Sequence, residues 1–162
     1  MEKFTHPVPP LYNENSKVLI LGSFPSPKSR EAEFFYMHPQ NRFWKVIYGI
    51  FDEQVSDSVE DRKKFVLEHN LAIWDVLHSC EIEGASDSSI KNIVVNDFSK
   101  IFSAARINAI FITGQTAFKL YRKHCAEKYD IPYFRLPSTS PANCRVKYNE
   151  LEESYKKILE YI

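Results

Sequence analysis

Four short apolar segments constrain the fold of this chain more than any other feature. They span residues 17–22, 71–77, 109–114 and 132–136. Near-continuous apolar runs of this length are typical of strands in a parallel sheet that is covered on both faces. The segments therefore predict a buried, mainly parallel sheet of four strands.

Helical patterns occupy the stretches around these predicted strands. They cover residues 41–51, 59–69, 97–105, 115–128 and 148–161, with Asp97 as the N-cap of the third. Strands that alternate with helices predict the α/β class, here a three-layer α/β/α sandwich around the four-stranded sheet. The length of 162 residues suits one domain. The Pro-rich residues 1–16 are expected to form an extended arm over the surface.

The balance of charge limits the kinds of nucleic-acid binding that are open to the chain. Its 21 basic and 21 acidic residues give a formal net charge of zero, which argues against a protein that coats nucleic acid. The charges are segregated, because residues 52–60 hold four acids and no base, whereas residues 133–147 hold three bases and no acid. A local basic face therefore remains open.

Three widely spaced cysteines, Cys80, Cys125 and Cys144, form no disulfide framework and indicate a reducing compartment. Histidines lie beside two of them, but no CxxC or HxxxH spacing supports a metal site, so neither a metal nor another cofactor is predicted. The longest apolar runs have the length of strands. No signal peptide or membrane span is therefore expected, and the predicted location is the cytoplasm.

The loops that follow the strands are the expected binding regions, because open parallel sheets bind ligands beyond the carboxyl ends of their strands. Residues 22–29, GSFPSPKS, form a turn with two prolines and three hydroxyls. The spacing fits neither a phosphate-binding Walker loop nor a dinucleotide fingerprint. Such a turn could hold a phosphate or a base carbonyl, but composition alone favours an ordinary proline-stiffened loop.

Residues 38–47, HPQNRFWKVI, carry the most specific motif. They resemble the HPxNRFWKVI stretch of mismatch-specific uracil/thymine DNA glycosylases. GSFPS at residues 22–26 resembles the first motif of that family, whose usual form is GxNPG, and LPSTSPAN at residues 136–143 resembles its second motif. The match runs through residues 17–145 in the family's order. The chain thus resembles the uracil-DNA glycosylase superfamily as a single domain, residues 1–162.

Phe24 departs from the pattern of the mismatch-specific enzymes. It stands where they have a water-positioning Asn and where the main uracil glycosylases have an Asp. The hypoxanthine-excising branch also lacks that polar residue, and there the Asn of HPxN, here Asn41, is held responsible. Resemblance to this branch implies a monofunctional glycosylase that hydrolyses deaminated bases, hypoxanthine or uracil, from DNA. Three scattered cysteines exclude the iron–sulfur uracil glycosylases, which need four.

The resemblance assigns three side chains to a pocket that receives a flipped base. Tyr36 matches the stacking position of the family, with core packing as the alternative. Asn41 would fix the attacking water through its amide oxygen, cap a helix, or do both through different atoms. Asp75 would accept the N1–H of hypoxanthine or the N3–H of uracil and reject adenine, or else cap the following loop.

Further groups are expected at the strand ends. Backbone N–H groups near Ser23 and Phe24 could stabilise the departing base, and Ser138 is another polar residue at this edge. The two motif loops should grip the DNA backbone, which positions the protein without reading sequence. The expected contacts are Ser26, Lys28, Arg30, Thr139, Ser140, Asn143, Arg145 and Lys147.

Two other functions stay open at this point. One is a glycosylase that prefers uracil, because the pocket cannot be sized from the sequence. The other is a glycosylase-like module that binds DNA or a nucleotide without cleaving it, which Phe24 and the neutral net charge favour slightly. The expected partner is DNA that contains a deaminated base, with no membrane, and the expected state is a monomer.

Overall fold

The computed structural model describes residues 2–84 and 86–162. Within these ranges the α-helices are α1 (Pro27–Ala32), α2 (Phe43–Ile50), α3 (Val59–Glu68), α4 (Ser99–Ala104), α5 (Gln115–His124) and α6 (Tyr148–Tyr155). The strands are β1 (Glu2–Thr5), β2 (Val18–Gly22), β3 (Leu71–Asp75), β4 (Leu77–Glu83), β5 (Ser86–Val95), β6 (Ala109–Thr113) and β7 (Tyr133–Leu136). Short 3-10 turns occur at Ala126–Lys128, Pro141–Asn143 and Lys156–Glu160.

The large sheet has four parallel strands in the order β3-β2-β6-β7. Val18 and Ile20 of β2 pack in one apolar cluster with α2, α3 and α6, whereas Leu19 and Leu21 pack in a second cluster with α4 and α5. Every residue of β2 is buried, because helices cover both faces of the sheet. The predicted α/β class and parallel sheet are confirmed.

A second, antiparallel sheet has the order β1-β4-β5 and was not predicted. The predicted strand 71–77 ends at Asp75, where the N–H groups of Val76 and Leu77 donate to the carbonyls of Gly22 and Ser23. The chain then enters β4 and leaves the large sheet. Most of β5 is polar and solvent-exposed or half-buried, so it lacks the apolar run that identifies a buried strand.

The N-terminal segment is extended, as expected, but it is part of the fold and does not merely cross the surface. Its β1 pairs with β4, from Glu2 opposite Ile82 to Thr5 opposite Ser79. Leu11 then forms an antiparallel bridge with Ile73 at the edge of the large sheet. The prediction missed these pairings because a Pro-rich segment suggests a loop.

The helices match their predicted positions, with differences at the ends. The N-cap of α4 is Phe98 and not Asp97, which lies one residue earlier; the Asp97 carboxylate still accepts from the N–H of Ser99, the first residue of the helix, at 2.9 Å. The sequence predicts only a turn where the short α1 forms; the Ser26 hydroxyl caps this helix by accepting from the N–H of Ser29. Among the described residues, no helix is long and apolar enough to cross a membrane.

Candidate active site

A cavity of about 120 Å³ opens at the carboxyl ends of the parallel strands. The six residues predicted to hold the base and the water all line it, together with Ser26, Thr139 and Ser140. These six are Ser23, Phe24, Tyr36, Asn41, Asp75 and Ser138. The three sequence motifs therefore meet at one site, at the edge where a parallel sheet is expected to bind its ligand.

Asn41 joins two of the motifs through its amide oxygen. This Oδ1 atom accepts from the N–H of Phe43, the first residue of α2, at 2.9 Å and from the hydroxyl of Thr139 at 2.7 Å. A carbonyl oxygen has two lone pairs, so both are taken. The water contact expected of this oxygen would have to displace one of them. The Nδ2 amide group, with two donors, is the part of Asn41 that is left for a substrate.

Tyr36 has an unusual backbone conformation at the wall of the cavity. Its φ of 54° lies in the left-handed region, which is strained for a bulky residue and is often retained at functional sites. The ring stacks on Phe43 at 3.8 Å, and the hydroxyl lies 3.2 Å from Thr113 Oγ1. Burial raises the pKa of this hydroxyl far above its ordinary value, so the ring stays neutral.

Asp75 ends β3 and is paired with a residue that the sequence analysis did not single out. Its Oδ2 atom lies 2.7 Å from Nε2 of His6, and both side chains are buried. A Cβ at Gly22 would lie only 2.6 Å from Asp75 Oδ1, so only glycine allows the carboxylate to approach the first loop this closely. No motif marks His6, which lies in the N-terminal segment.

Asp87 supplies a second carboxylate to the cavity from β5 of the small sheet. The hydroxyl of Ser23 donates to its Oδ1 at 3.0 Å. Loss of hydration at this position raises the pKa of Asp87; the nearby Asp75 adds to the rise, and the Ser23 hydrogen bond opposes it. The sequence does not indicate that Asp87 lines the cavity, since the exposed SDSS stretch around it is typical of a solvated hairpin.

Arg42 was also missed, and it fixes the second motif loop against α2. Its guanidinium donates to the carbonyls of Val146 at 2.6 Å and Asn143 at 3.1 Å, while its N–H donates to the carbonyl of Thr139. Its position directly after Asn41, within HPQNR, could have indicated a residue that holds the loop of Asn41 in place. The result is a rigid link between the two motifs.

Seven of the eight residues predicted to contact DNA fall into two groups. Lys28, Arg145 and Lys147 are exposed. Others hold the loops together: Ser26 caps α1, the Asn143 side chain donates to Ser138 O, Ser140 Oγ accepts from Ala142 N–H, and Thr139 bonds Asn41.

Arg30 differs from these exposed cations because its guanidinium is engaged within the protein. It lies over the ring of Phe4 at 4.1 Å and donates to the carbonyl of Pro25 at 2.8 Å.

A wider groove of about 650 Å³ continues from the cavity along β7 and α5, with Thr116 and Arg135 among its lining residues. Its size and polar walls suit the DNA strand that flanks a flipped base.

A model of the uracil DNA glycosylase superfamily matches residues 9–162. The chain therefore belongs to this superfamily, and the predicted enzyme class, a DNA glycosylase, is confirmed. The three motifs that carried the resemblance are the loops that now surround the cavity.

Curated relatives and a solved structure agree with this assignment. The chain is 32% identical over 147 residues to a hypoxanthine DNA glycosylase of Methanosarcina acetivorans, covering 90% of this chain and 92% of the relative. It is 35% identical over 92 residues to a hypoxanthine DNA glycosylase of Methanosarcina barkeri, covering 56% and 58%. The solution structure of a candidate uracil DNA glycosylase from M. acetivorans superimposes with a TM-score of 0.78 at 28% identity, covering 98% and 99%.

Proposed function

We propose that the protein is a monofunctional DNA glycosylase that excises hypoxanthine from DNA and leaves an abasic site. The observation that carries this proposal is the convergence of Tyr36, Asn41 and Asp75 on one cavity at the carboxyl ends of the parallel strands. The relatives named hypoxanthine DNA glycosylase support the choice of base. Location in the cytoplasm and action as a monomer remain predictions.

Asp75 is the group that reads the base. A carboxylate oxygen accepts a hydrogen bond, and hypoxanthine offers N1–H where adenine offers a lone pair. The Oδ1 atom lies against Gly22 at the cavity, so hypoxanthine gains a hydrogen bond while adenine meets repulsion. Uracil offers N3–H to the same atom, and for this reason uracil is the second candidate substrate.

Asn41 assists departure of the base through Nδ2. Cleavage of the glycosidic bond leaves its electron pair on the base, so a donor that faces a ring nitrogen or the exocyclic oxygen stabilises the leaving group. Because the Asn41 oxygen holds Phe43 and Thr139, the amide plane is fixed. A preorganised donor of this kind needs no rearrangement during the reaction.

Asp87 holds the attacking water. Phe24 cannot do so, but the Asp87 carboxylate is bonded to Ser23, the residue next to Phe24 in the first loop. The water oxygen forms the new bond to C1′ as the bond to the base breaks, and the proton released by the water ends on the base or in solvent. A carboxylate also stabilises the positive charge that develops on the sugar.

Water is the proposed nucleophile because no lysine lines the cavity in the described part of the chain. An amine nucleophile would form a Schiff base with C1′, which borohydride traps. The reaction is therefore expected to give no trapped enzyme–DNA adduct and a product that breaks only after alkaline treatment.

The deciding experiment uses duplex oligonucleotides with one deoxyinosine or one deoxyuridine and the purified protein, under single-turnover conditions. We expect faster excision of hypoxanthine than of uracil. Faster excision of uracil would select the second candidate. Binding of either duplex without excision would show a module that binds without cleaving, and a borohydride-trapped adduct would contradict hydrolysis by water.

A further inference from the structure

We infer that His6 is a positioning residue for base recognition: it holds one oxygen of Asp75 so that the other faces the N1–H edge of the base. This inference rests on the proposed function, since it assigns to Asp75 the reading of hypoxanthine. His6 lies outside residues 9–162, the segment that the superfamily model matches. The N-terminal segment thereby becomes part of the active site.

The hydrogen bonds of His6 define which nitrogen carries the proton. The N–H of Val8 donates to Nδ1 at 3.1 Å, so Nδ1 must be the acceptor. The proton of the neutral ring is then on Nε2, which donates to Asp75 Oδ2 at 2.7 Å. The side chains of His6 and Asp75 are 1% and 6% exposed, so water does not compete for this bond.

Aromatic rings fix the orientation of the imidazole. Its centroid lies 5.7 Å from that of Phe24, 6.5 Å from Phe35 and 6.1 Å from Trp74, and the Phe24 and Trp74 contacts are edge-on. The indole N–H of Trp74 also donates to the carbonyl of Val8 at 3.0 Å. The ring therefore cannot turn away without breaking several contacts, which makes it a rigid support.

This support determines which oxygen of Asp75 serves the substrate. With Oδ2 held by His6, Oδ1 lies at Gly22 on the side of the cavity. A buried carboxylate that loses its donor takes up a proton or turns towards solvent, because an unpaired buried charge is costly. Either change removes the acceptor that N1–H requires.

A comparison of two substrates distinguishes a positioning role of His6 from a purely structural role. Deoxynebularine carries a purine without N1–H, so Asp75 cannot accept from it. If His6 acts through Asp75, its removal slows hypoxanthine excision and spares the unsubstituted purine. If His6 only stabilises the fold, both substrates lose rate equally.

The test compares His6→Phe with the wild type on duplexes that contain deoxyinosine or deoxynebularine. Phenylalanine retains a ring among Phe24, Phe35 and Trp74 but has no donor. We expect the rate ratio of the two substrates to fall about tenfold or more, as for loss of one hydrogen bond to a charged group. The matched control is His69→Phe, which removes a similar 2.6 Å contact to Glu53 away from the cavity and should leave the ratio unchanged.

A second variant and a binding measurement keep the inference testable if His6→Phe folds poorly or deoxynebularine is cut too slowly. His6→Gln retains an amide donor and should recover part of the ratio. Affinity for uncleavable 2′-fluoro forms of both nucleotides should show the same selective loss. A rate ratio that does not change, whether both rates fall equally or neither falls, would overturn the inference. Failure of the wild type to excise hypoxanthine at all would instead overturn the proposed function.

Discussion

The two sheets of this protein contribute to the cavity in different ways. Three strands of the large sheet, β2, β3 and β6, are almost entirely buried between helices, and their ends place Gly22, Asp75 and Thr113 at the cavity wall. The small sheet has an exposed and mostly polar strand, β5, yet it brings Asp87 to the same cavity. The large sheet thus determines where the cavity lies, and the small sheet forms one wall of it and adds the negative charge of Asp87.

The difference extends to chemistry. The side of the large sheet carries the proposed hydrogen-bond donor, Nδ2 of Asn41 at the start of α2. Both carboxylates depend on the small sheet, because Asp87 belongs to β5 and Asp75 is held by His6, directly after β1. Substitutions of Asn41 and of Asp87 should therefore affect the leaving base and the attacking water separately.

The largest effect is expected at Asn41. Loss of its donor in Asn41→Ala should slow hypoxanthine excision by at least about a hundredfold in single turnover, the size seen for one preorganised donor. Folding should suffer little, since a side-chain bond to an N–H at a helix start contributes about 0.5–2 kcal/mol. A rate within a few-fold of the wild type would move the catalytic assignment away from Asn41.

Asn41→Asp sharpens the same test, because it retains an oxygen for Phe43 and Thr139 while removing the Nδ2 donor. If the donor assists the base, this variant should be at least as slow as Asn41→Ala, since a carboxylate also repels a departing anion. If the amide oxygen holds the water, as the sequence alone suggested, the aspartate should retain more activity than the alanine. Thermal unfolding of both variants checks that the fold persists.

The contrast between the sheets also explains how much could be predicted from the sequence. Strands with continuous apolar residues can be recognised in the sequence, and the cavity residues Tyr36, Asn41 and Asp75 follow from the resemblance to the motifs of the superfamily. Asp87 and His6 could not be found in this way, because they reach the cavity through strand pairings between distant segments. An exposed polar hairpin and a Pro-rich segment have no local pattern that reports such pairings.

The next effect, on the side of the small sheet, concerns Asp87. Asp87→Asn keeps an acceptor for the Ser23 hydroxyl but removes the charge that orients water and stabilises the sugar. We expect excision to slow by about tenfold to a hundredfold, in the range of one positioned proton acceptor. Because the pKa of Asp87 is raised above its ordinary 3.8, the wild-type rate should begin to fall with acidification at a higher pH than for a free aspartate.

Stability should change in the opposite direction at Asp87. Its folded-state pKa is raised, so the ionised form is less favourable in the folded than in the unfolded chain. That penalty is present above the folded pKa and disappears below the ordinary value of 3.8. Asp87→Asn should therefore unfold at a slightly higher temperature at neutral pH, with a small gain because Asp87 is solvent-exposed, and the gain should shrink with acidification. The rate of excision gives a separate check. If the rate of Asp87→Asn falls with acidification in the same way as the wild-type rate, the group that titrates is not Asp87.

A smaller effect is expected in DNA binding, from the exposed cations Arg145 and Lys147. Their joint replacement by Ala should weaken binding and reduce the slope of log affinity against log salt by about 0.9 for each phosphate that the variant no longer neutralises. The matched control replaces Lys17 and Arg106, an equally exposed pair that precedes β2 and β6 at the opposite edge of the sheet. Equal changes in both double variants would place the DNA elsewhere.

The smallest effect concerns Arg30, which connects the two sheets. Its guanidinium lies over Phe4 of β1 and within 5.6 Å of the ring centroid of Phe24 in the first loop. Arg30→Ala should leave the salt dependence of DNA binding unchanged and lower the free energy of unfolding by about 1 kcal/mol, the size of a cation–π contact. Lys28→Ala should do the reverse, because Lys28 is exposed. A smaller slope of log affinity against log salt in Arg30→Ala would show that the guanidinium leaves Phe4 to bind DNA. The contact between Arg30 and β1 of the small sheet would then be broken during binding.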